Sequence, residues 1–413
     1  MSPKTAIVYD HGLYTYLAQK LAEDYEKVYY YVAQDVPYPV SDLSEIGVGI
    51  PGIERIYDFH HLKNTVDKEN TVFCFFDNYN WDLQQDLRAS GFSVYGGNDK
   101  LETDRIFFRE ALRRLRMPVA KYVVIQGVTA VMKHLEDKTD KYIKSSYYRG
   151  DFETYHFISM NHSRGFFDDL RYRLGLRAEK IKFIIEDPIK GLEVGCDGFQ
   201  LQGEMASHST WGYEIKDGAY ICKVEQTLPP IINKVNKKFQ PLFAHLGYQG
   251  SYSNEIRLTD KRVPYFTDPC CRAASPPSEL SCELYENFGE AIWILAHGGM
   301  PKLKPRAKYG AEIILKSGWH EKHWLHVEFP DKVSRWIKLK NVTRIDGKYH
   351  CIPNGNGGIF GAAIAIGDDP ATCLKRVMKI AELVKAEELN YLEDAPAKCK
   401  EAISQGEELG LKF

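Results

Sequence analysis

Glu255 and Asp268 stand on either side of a tight turn, in Gly250-Ser251-Tyr252-Ser253-Asn254-Glu255-Ile256-Arg257-Leu258 and Val263-Pro264-Tyr265-Phe266-Thr267-Asp268. Read as a hairpin, this stretch brings acids on adjacent strands close enough to share metal ions. Mg²⁺ takes one or two protein carboxylates and fills its remaining positions with water and phosphate oxygens, which such a pair allows. Arg272 follows in Pro269-Cys270-Cys271-Arg272, where its planar fork can hold a carboxylate or a phosphoryl group. The same spacing fits a solvated hairpin with a surface ion pair.

Further charges sit where local sequence expects none. Lys144 ends the apolar run Tyr142-Ile143-Lys144, and a lysine there needs a buried anion. Glu186 closes Phe183-Ile184-Ile185-Glu186 in the same way, whereas Glu193 in Gly191-Leu192-Glu193 is also a common loop sequence. Lys100, Arg105 and Arg109 lie at or on a predicted helix whose basic stripe would by default be solvated. Lys223, in Ile221-Cys222-Lys223-Val224-Glu225, fits a cross-strand ion pair as well as a substrate contact. His320, His323 and His326 match neither H-E-x-x-H nor another zinc spacing.

Along the chain, apolar runs at Thr5-Tyr9, Val28-Val32, Thr71-Phe76 and Phe92-Tyr95 alternate with helical patterns such as Tyr14-Tyr25. They predict a small α/β unit with a largely parallel sheet, whose ligand side would hold Asp10-His11-Gly12. No G-x-G-x-x-G follows the first strand. A helix is predicted over Glu102-Arg116, with Phe108, Leu112 and Leu115 on one stripe, stopped by Met117-Pro118. Strands dominate 141–268, with hairpin signals at Lys216-Asp217-Gly218 and Asp260-Lys261-Arg262. Helices are expected at Phe166-Leu174, Pro230-Leu246 and Glu279-Ala296. Beyond the connector Pro301-Arg306, strands at Ala311-Leu315, Val333-Leu339 and Phe360-Ile366 and a helix at Pro370-Leu383 suggest a third unit.

The whole chain has 413 residues, 44% hydrophobic and 27% charged, with a formal net charge of -2, which excludes disorder and gives no bulk attraction to nucleic acid or anionic membranes. Nine cysteines without a C-x-x-C pair read as reduced, mostly buried thiols. No signal-peptide core and no run of roughly 20 apolar residues is present, so a cytoplasmic protein is expected. The 26 Tyr and 20 Phe suit core packing and leave room for stacking on a base or sugar.

The order of these features resembles the ATP-grasp superfamily, most closely its phosphoribosylamine–glycine ligase branch. Asn98-Asp99-Lys100 with the following helix and Met117-Pro118-Val119-Ala120-Lys121-Tyr122 is similar to the start of that branch's ATP domain. Tyr142-Ile143-Lys144 resembles the strand whose lysine reaches the nucleotide phosphates, and Phe183 to Glu193 resembles the hinge. Asp268-Pro269-Cys270-Cys271-Arg272 stands where the family has Glu-x-Asn-x-Arg, with Cys270 in place of the asparagine. Gly358-Ile359-Phe360-Gly361-Ala362-Ala363-Ile364 resembles the branch's C-terminal domain.

The resemblance implies an ATP-grasp fold of α/β and α+β class. It places an N-terminal parallel-sheet domain at 1–98, an ATP-grasp domain at 99–299 with a lid at about 119–189, and a small β/α domain at 300–413. It assigns ATP contacts to Lys100, Arg105, Lys144 and Arg149, the last replacing a glycine-rich flap, and to Glu186, Asp187, Ile189 and Glu193 at the hinge. Glu255 and Asp268 become ligands of Mg²⁺ or Mn²⁺, and Arg272 and Lys223 the catalytic pair. The implied reaction joins a small-molecule carboxylate, an amino acid such as glycine, to an amine through an acyl phosphate, releasing ADP and phosphate. The amine could be carried on a nucleotide, a phosphosugar or a macromolecule, and the protein could be a monomer or homodimer. A kinase on the same scaffold and a non-catalytic ATP-binding protein are the alternatives.

Overall fold

The computed structural model describes residues 4–33, 42–77, 79–98, 100–145, 154–216, 218–353, 355 and 357–413. The chain divides into two compact units, neither continuous in sequence. One comprises 1–98, 194–254 and 270–413, the other 99–193 and 255–269.

In the larger unit, the first hundred residues form a five-stranded parallel sheet. Thr5–Asp10 lies at its centre, flanked by Lys27–Val32 and Thr71–Cys74, with Glu54–Ile56 and Ser93–Tyr95 at the edges. Strand order reverses beside Thr5–Asp10, and such a switch point opens a crevice at the carboxyl ends of the strands. Val8, Val72 and Cys74 are fully buried, as a doubly covered parallel sheet requires.

A second sheet in this unit is antiparallel. Ser209–Ile215 and Ala219–Glu225 form the predicted hairpin, and Ala219–Glu225 pairs onward with Tyr309–Ser317, which pairs with Ile359–Gly367. The segment beyond residue 300 therefore enters the same sheet as residues 194–225 and does not form a compact unit of its own. Its helix Pro370–Ala381 starts on Asp369, whose side chain accepts the Thr372 N–H at 2.8 Å, a cap worth roughly 1 kcal/mol.

Two predicted elements break for identifiable reasons. Glu279-Ala296 is two helices, Ser278–Leu284 and Phe288–Ala296. The Asn287 amide between them donates to the Lys302 carbonyl at 3.0 Å and accepts the Lys304 N–H at 2.9 Å, tying the break to the Pro/Lys connector. Val333-Leu339 is strand only at Ile337–Leu339, because Pro330 leads into a 3₁₀ turn over Asp331–Trp336.

In the smaller unit, a four-stranded sheet runs Tyr122–Gln126, Lys182–Glu186, Lys141–Ser145, Thr154–Phe157, all antiparallel. Helices Val128–Leu135 and Met160–Leu174 pack over it through Val131, Leu135, Phe167 and Leu170. The predicted helix Glu102-Arg116 is interrupted: Lys100–Thr103 ends, and Asp104 caps a new helix, Arg105–Arg114, by accepting the Phe107 N–H at 2.9 Å. The Asp260-Lys261-Arg262 turn closes with Arg262 at φ 59°, the left-handed conformation such a turn demands.

Eight of the nine cysteines are buried, and Cys270 is half-buried. Among the described residues no helix is long and apolar enough to cross a membrane.

Candidate functional site

In the antiparallel register Lys144 lies opposite Ile184, so Glu186, two residues on, projects from the same face. The Lys144 Nζ reaches the Glu186 Oε1 at 3.1 Å. From the helix Arg105–Arg114, Arg109 grips the same carboxylate, donating from Nε to Oε2 at 3.0 Å and from Nη2 to Oε1 at 3.1 Å. Its Nη1 also donates to the Thr267 carbonyl at 3.3 Å. One turn earlier, Arg105 donates to the Ser145 carbonyl at 3.2 Å and faces the Asp268 carboxylate at 3.7 Å. Between the two arginines, Phe108 meets Phe266 edge-to-face at 5.0 Å, which seats the helix on the hairpin.

This cluster is nearly dry, with Arg105 and Arg109 each 3% exposed, Glu186 6% and Lys144 8%. Arg105 and Arg109 therefore lie on a buried face of their helix. Burial pushes the Glu186 carboxyl up, but the charges of Lys144 and Arg109 and their hydrogen bonds outweigh it and leave it below the usual range. Lys144 and Arg109 thus face Glu186 away from water, and Arg105 faces the half-buried Asp268, a setting suited to a polyanion.

The remaining hinge residues lie nearby in the same unit. Asp187 pairs with Lys141 at 2.9 Å and donates its N–H to the Lys121 carbonyl at 3.0 Å, while Ile189 is half-buried in the irregular stretch that follows. Gly191 has φ of 157° and would place a Cβ 2.5 Å from the Leu258 carbonyl oxygen, so only glycine permits this approach of hinge to hairpin. Glu193 is ion-paired with Arg257. Carboxylate oxygens of Glu193 and Glu255 lie within 4.8 Å of one another.

Of the predicted metal pair, Glu255 thus lies beside Glu193, and Asp268 faces Arg105. Hard carboxylate oxygens at this separation fit the donor set of Mg²⁺. Lys100 is exposed and holds its ammonium 4.5 Å from the Phe107 ring centre. Arg149 falls outside the described residues. Arg109, the second basic residue of the helix Arg105–Arg114, has no contact assigned to it by the family resemblance. Its signal was the four-residue spacing from Arg105, which puts both on one face.

Arg272 and Lys223 belong to the larger unit. The Ala273 N–H donates to the Phe76 carbonyl at 2.8 Å, and the Tyr14 hydroxyl donates to the Ala273 carbonyl at 2.6 Å, fastening this segment to the carboxyl end of the parallel sheet. Arg272 donates to the Tyr14 hydroxyl at 3.4 Å and lines a cavity of about 30 Å³ together with Asp197, Phe199, Thr210 and Tyr285. Lys223 has other company: Glu225 at 2.7 Å, the Lys412 carbonyl at 2.9 Å and the Trp211 ring at 6.0 Å. Lys223 is not among the residues that line the Arg272 cavity.

The histidines disperse. His320 is buried, and burial lowers its pKa; His323 packs on Trp319 at 4.3 Å, and His326 stacks on His350 at 5.1 Å.

No protein-family model matches the chain, and no curated protein does. Solved structures do. Phosphoribosylamine–glycine ligase from Thermotoga maritima superposes with a TM-score of 0.69 at 16% identity, covering 94% of this chain and 98% of that one. The biotin carboxylase domain of Hydrogenobacter thermophilus 2-oxoglutarate carboxylase, solved with MgADP, ADP and bicarbonate, gives 0.66 at 9% identity and 99% coverage of both chains. N5-carboxyaminoimidazole synthetase from Staphylococcus aureus gives 0.58 at 12% identity, covering 91% of this chain and 96% of that one. The fold common to these structures, and to this chain, is the ATP-grasp fold, carried here by a strongly divergent sequence.

Proposed function

We propose that the protein is a carboxylate–amine ligase driven by ATP and Mg²⁺. The observation that carries this reading is the convergence of Arg109 and Lys144 on Glu186, with Arg105 alongside, in a nearly water-free part of the smaller unit. A buried ion pair by itself is poor evidence of stabilisation, since desolvation can cancel the attraction. A triphosphate gives the clustered cations a second partner and a reason to be there.

In the proposed reaction the hinge stretch from Glu186 to Ile189 receives the base, and Glu193 lies within reach of the ribose or the metal. Lys144 and Arg109 neutralise the phosphates, and Arg105 supports them. Mg²⁺, held by Glu255 with Glu193 or Asp268, would draw charge from the β- and γ-phosphates when bound. Arg272 orients the acid substrate, whose carboxylate oxygen attacks the γ-phosphorus and displaces ADP. The amine nitrogen then attacks the acyl carbon, displaces phosphate and loses a proton, leaving an amide. Two of the three solved proteins named above act on an amine or make an aminoimidazole derivative, and an amino acid such as glycine is the leading candidate for the acid here.

The test measures ADP and phosphate released from ATP and Mg²⁺ across a panel of amino acids and amines, for the wild type and Asp268→Asn. Release that requires both an acid and an amine, and is lost in the variant, is the expected result. Release with no amine present would establish a kinase instead, and nucleotide binding without release would point to a non-catalytic protein.

A further inference from the structure

Asp197 is a buried carboxylate that the proposed reaction leaves unused. It lies on the strand Leu192–Leu201 of the larger unit and is 7% exposed. The Tyr220 hydroxyl donates to its Oδ2 at 2.6 Å, and the Thr210 hydroxyl lies 3.5 Å from the same oxygen. Among the described residues no lysine, arginine or histidine forms an ion pair with it. Three other buried acids, Glu186, Glu279 and Glu283, each have a cation at 3.2 Å or less, whereas the buried Asp10 and Glu312 share with Asp197 the lack of one among the described residues. A carboxylate removed from water with only neutral donors around it lacks the counter-charge that burial ordinarily demands.

The missing charge has a place to sit. Asp197 lines the same small cavity as Arg272, together with Phe199, Tyr285 and Phe288. Tyr285 is 1% exposed, and among the described residues its hydroxyl has no hydrogen-bond partner, an unusual state for a buried polar atom. The cavity measures about 30 Å³, enough for about two waters, which suits a small ligand.

Resting on the ligase reading, we propose that Asp197 is the residue that recognises the ammonium group of the acid substrate, whose carboxylate faces Arg272. The site then takes a small zwitterion, and the opposed charges of Asp197 and Arg272 set its orientation. Tyr220 and Thr210 act as positioning residues, holding the carboxylate through its hydroxyl donors. A purely structural Asp197, satisfied by those hydroxyls, would show no preference for a ligand's amino group.

The experiment is equilibrium binding of radiolabelled glycine to the full chain, with Mg²⁺ and a non-hydrolysable ATP analogue present and glycolate as competitor. Glycolate keeps the carboxylate and replaces the ammonium by a hydroxyl. Wild type is expected to prefer glycine, and Asp197→Asn, close in shape, to lose roughly ten- to a hundredfold in that preference, the range for a hydrogen bond to a charged group. Tyr220→Phe, which keeps the carboxylate, should lose less and guards against a folding failure in the first variant. Because binding is read without turnover, a protein that fails to release ADP yet binds glycine through Asp197 would sink the ligase reading and leave this site standing. Undiminished preference for glycine in folded Asp197→Asn, or no glycine binding by the wild type, would overturn the assignment.

Discussion

Arg109 holds both carboxylate oxygens of Glu186, although the two residues are 77 positions apart in the chain. This pair joins the helix Arg105–Arg114 of the smaller unit to the end of its hinge strand. A bidentate guanidinium fixes direction as well as charge, which an ammonium cannot do. Arg109→Met should therefore leave Glu186 with Lys144 alone and cost about 3–5 kcal/mol of stability. Arg109→Lys should recover part of that loss while remaining weak in nucleotide affinity. Urea denaturation and titration with a fluorescent ATP analogue separate the two effects; full affinity in both variants would remove Arg109 from the proposed site.

The pH dependence of the same cluster follows from its sign. Glu186 is held below its ordinary value of 4.5 despite burial, so its contribution to stability is present above that value and is lost as pH falls through the folded pKa. Glu186→Gln should destabilise the protein at pH 7 and progressively less on acidification. Melting curves of both proteins from pH 7 to pH 3 should converge at the acidic end, and parallel curves would mean that Glu186 is not ionised in the fold.

Glu312 should behave in the opposite way. It is fully buried on Tyr309–Ser317, and among the described residues neither carboxylate oxygen has a hydrogen-bond partner. Burial first, then repulsion from Glu279, raises its pKa well above 4.5; Lys340 lowers it, while Glu214 and Asp197 add to the rise. The folded form keeps its proton where the unfolded chain gives it up, so stability falls as pH rises above 4.5, by about 1.4 kcal/mol per unit until the folded pKa is reached. Glu312→Gln should remove that slope, making the variant relatively more stable at pH 8 than at pH 5. An unchanged slope would show that Glu312 finds a proton-independent partner.

Removal of one acid tests the metal assignment without measuring turnover. With Mg²⁺, ATP should raise the melting temperature of the wild type more than ATP with EDTA does. Glu255→Gln should lose most of that difference, corresponding to at least a roughly tenfold weaker Mg·ATP complex. Equal protection of the variant by Mg·ATP would place the ion elsewhere.

Much of the local architecture is written in short stretches of sequence. The apolar runs around Ile7, Tyr30, Phe73 and Val94 are strands, and Lys144 and Glu186 were conspicuous because each charge ends such a run. Period and propensity are properties of neighbours in the chain, so they survive without knowledge of the fold. Breaks were less legible: the stops at Asp104 and Asn287 depend on side-chain hydrogen bonds that the surrounding apolar periodicity masks.

What the sequence by itself determined was therefore the kind of element and the identity of the acids and bases on it. The tertiary structure alone decided who meets whom. Arg109, and not Lys100, reaches Glu186, because a helix presents residues on one face only after its packing partner, here Phe266, has chosen that face. Glu193 comes to Glu255 because Gly191 lets hinge and hairpin backbones approach. Asp197 shares a cavity with Arg272, and the segment beyond residue 300 joins an interior sheet, through pairings between residues far apart in the chain. Such encounters are set by the burial of whole faces and by sheet register, which no local window of sequence contains.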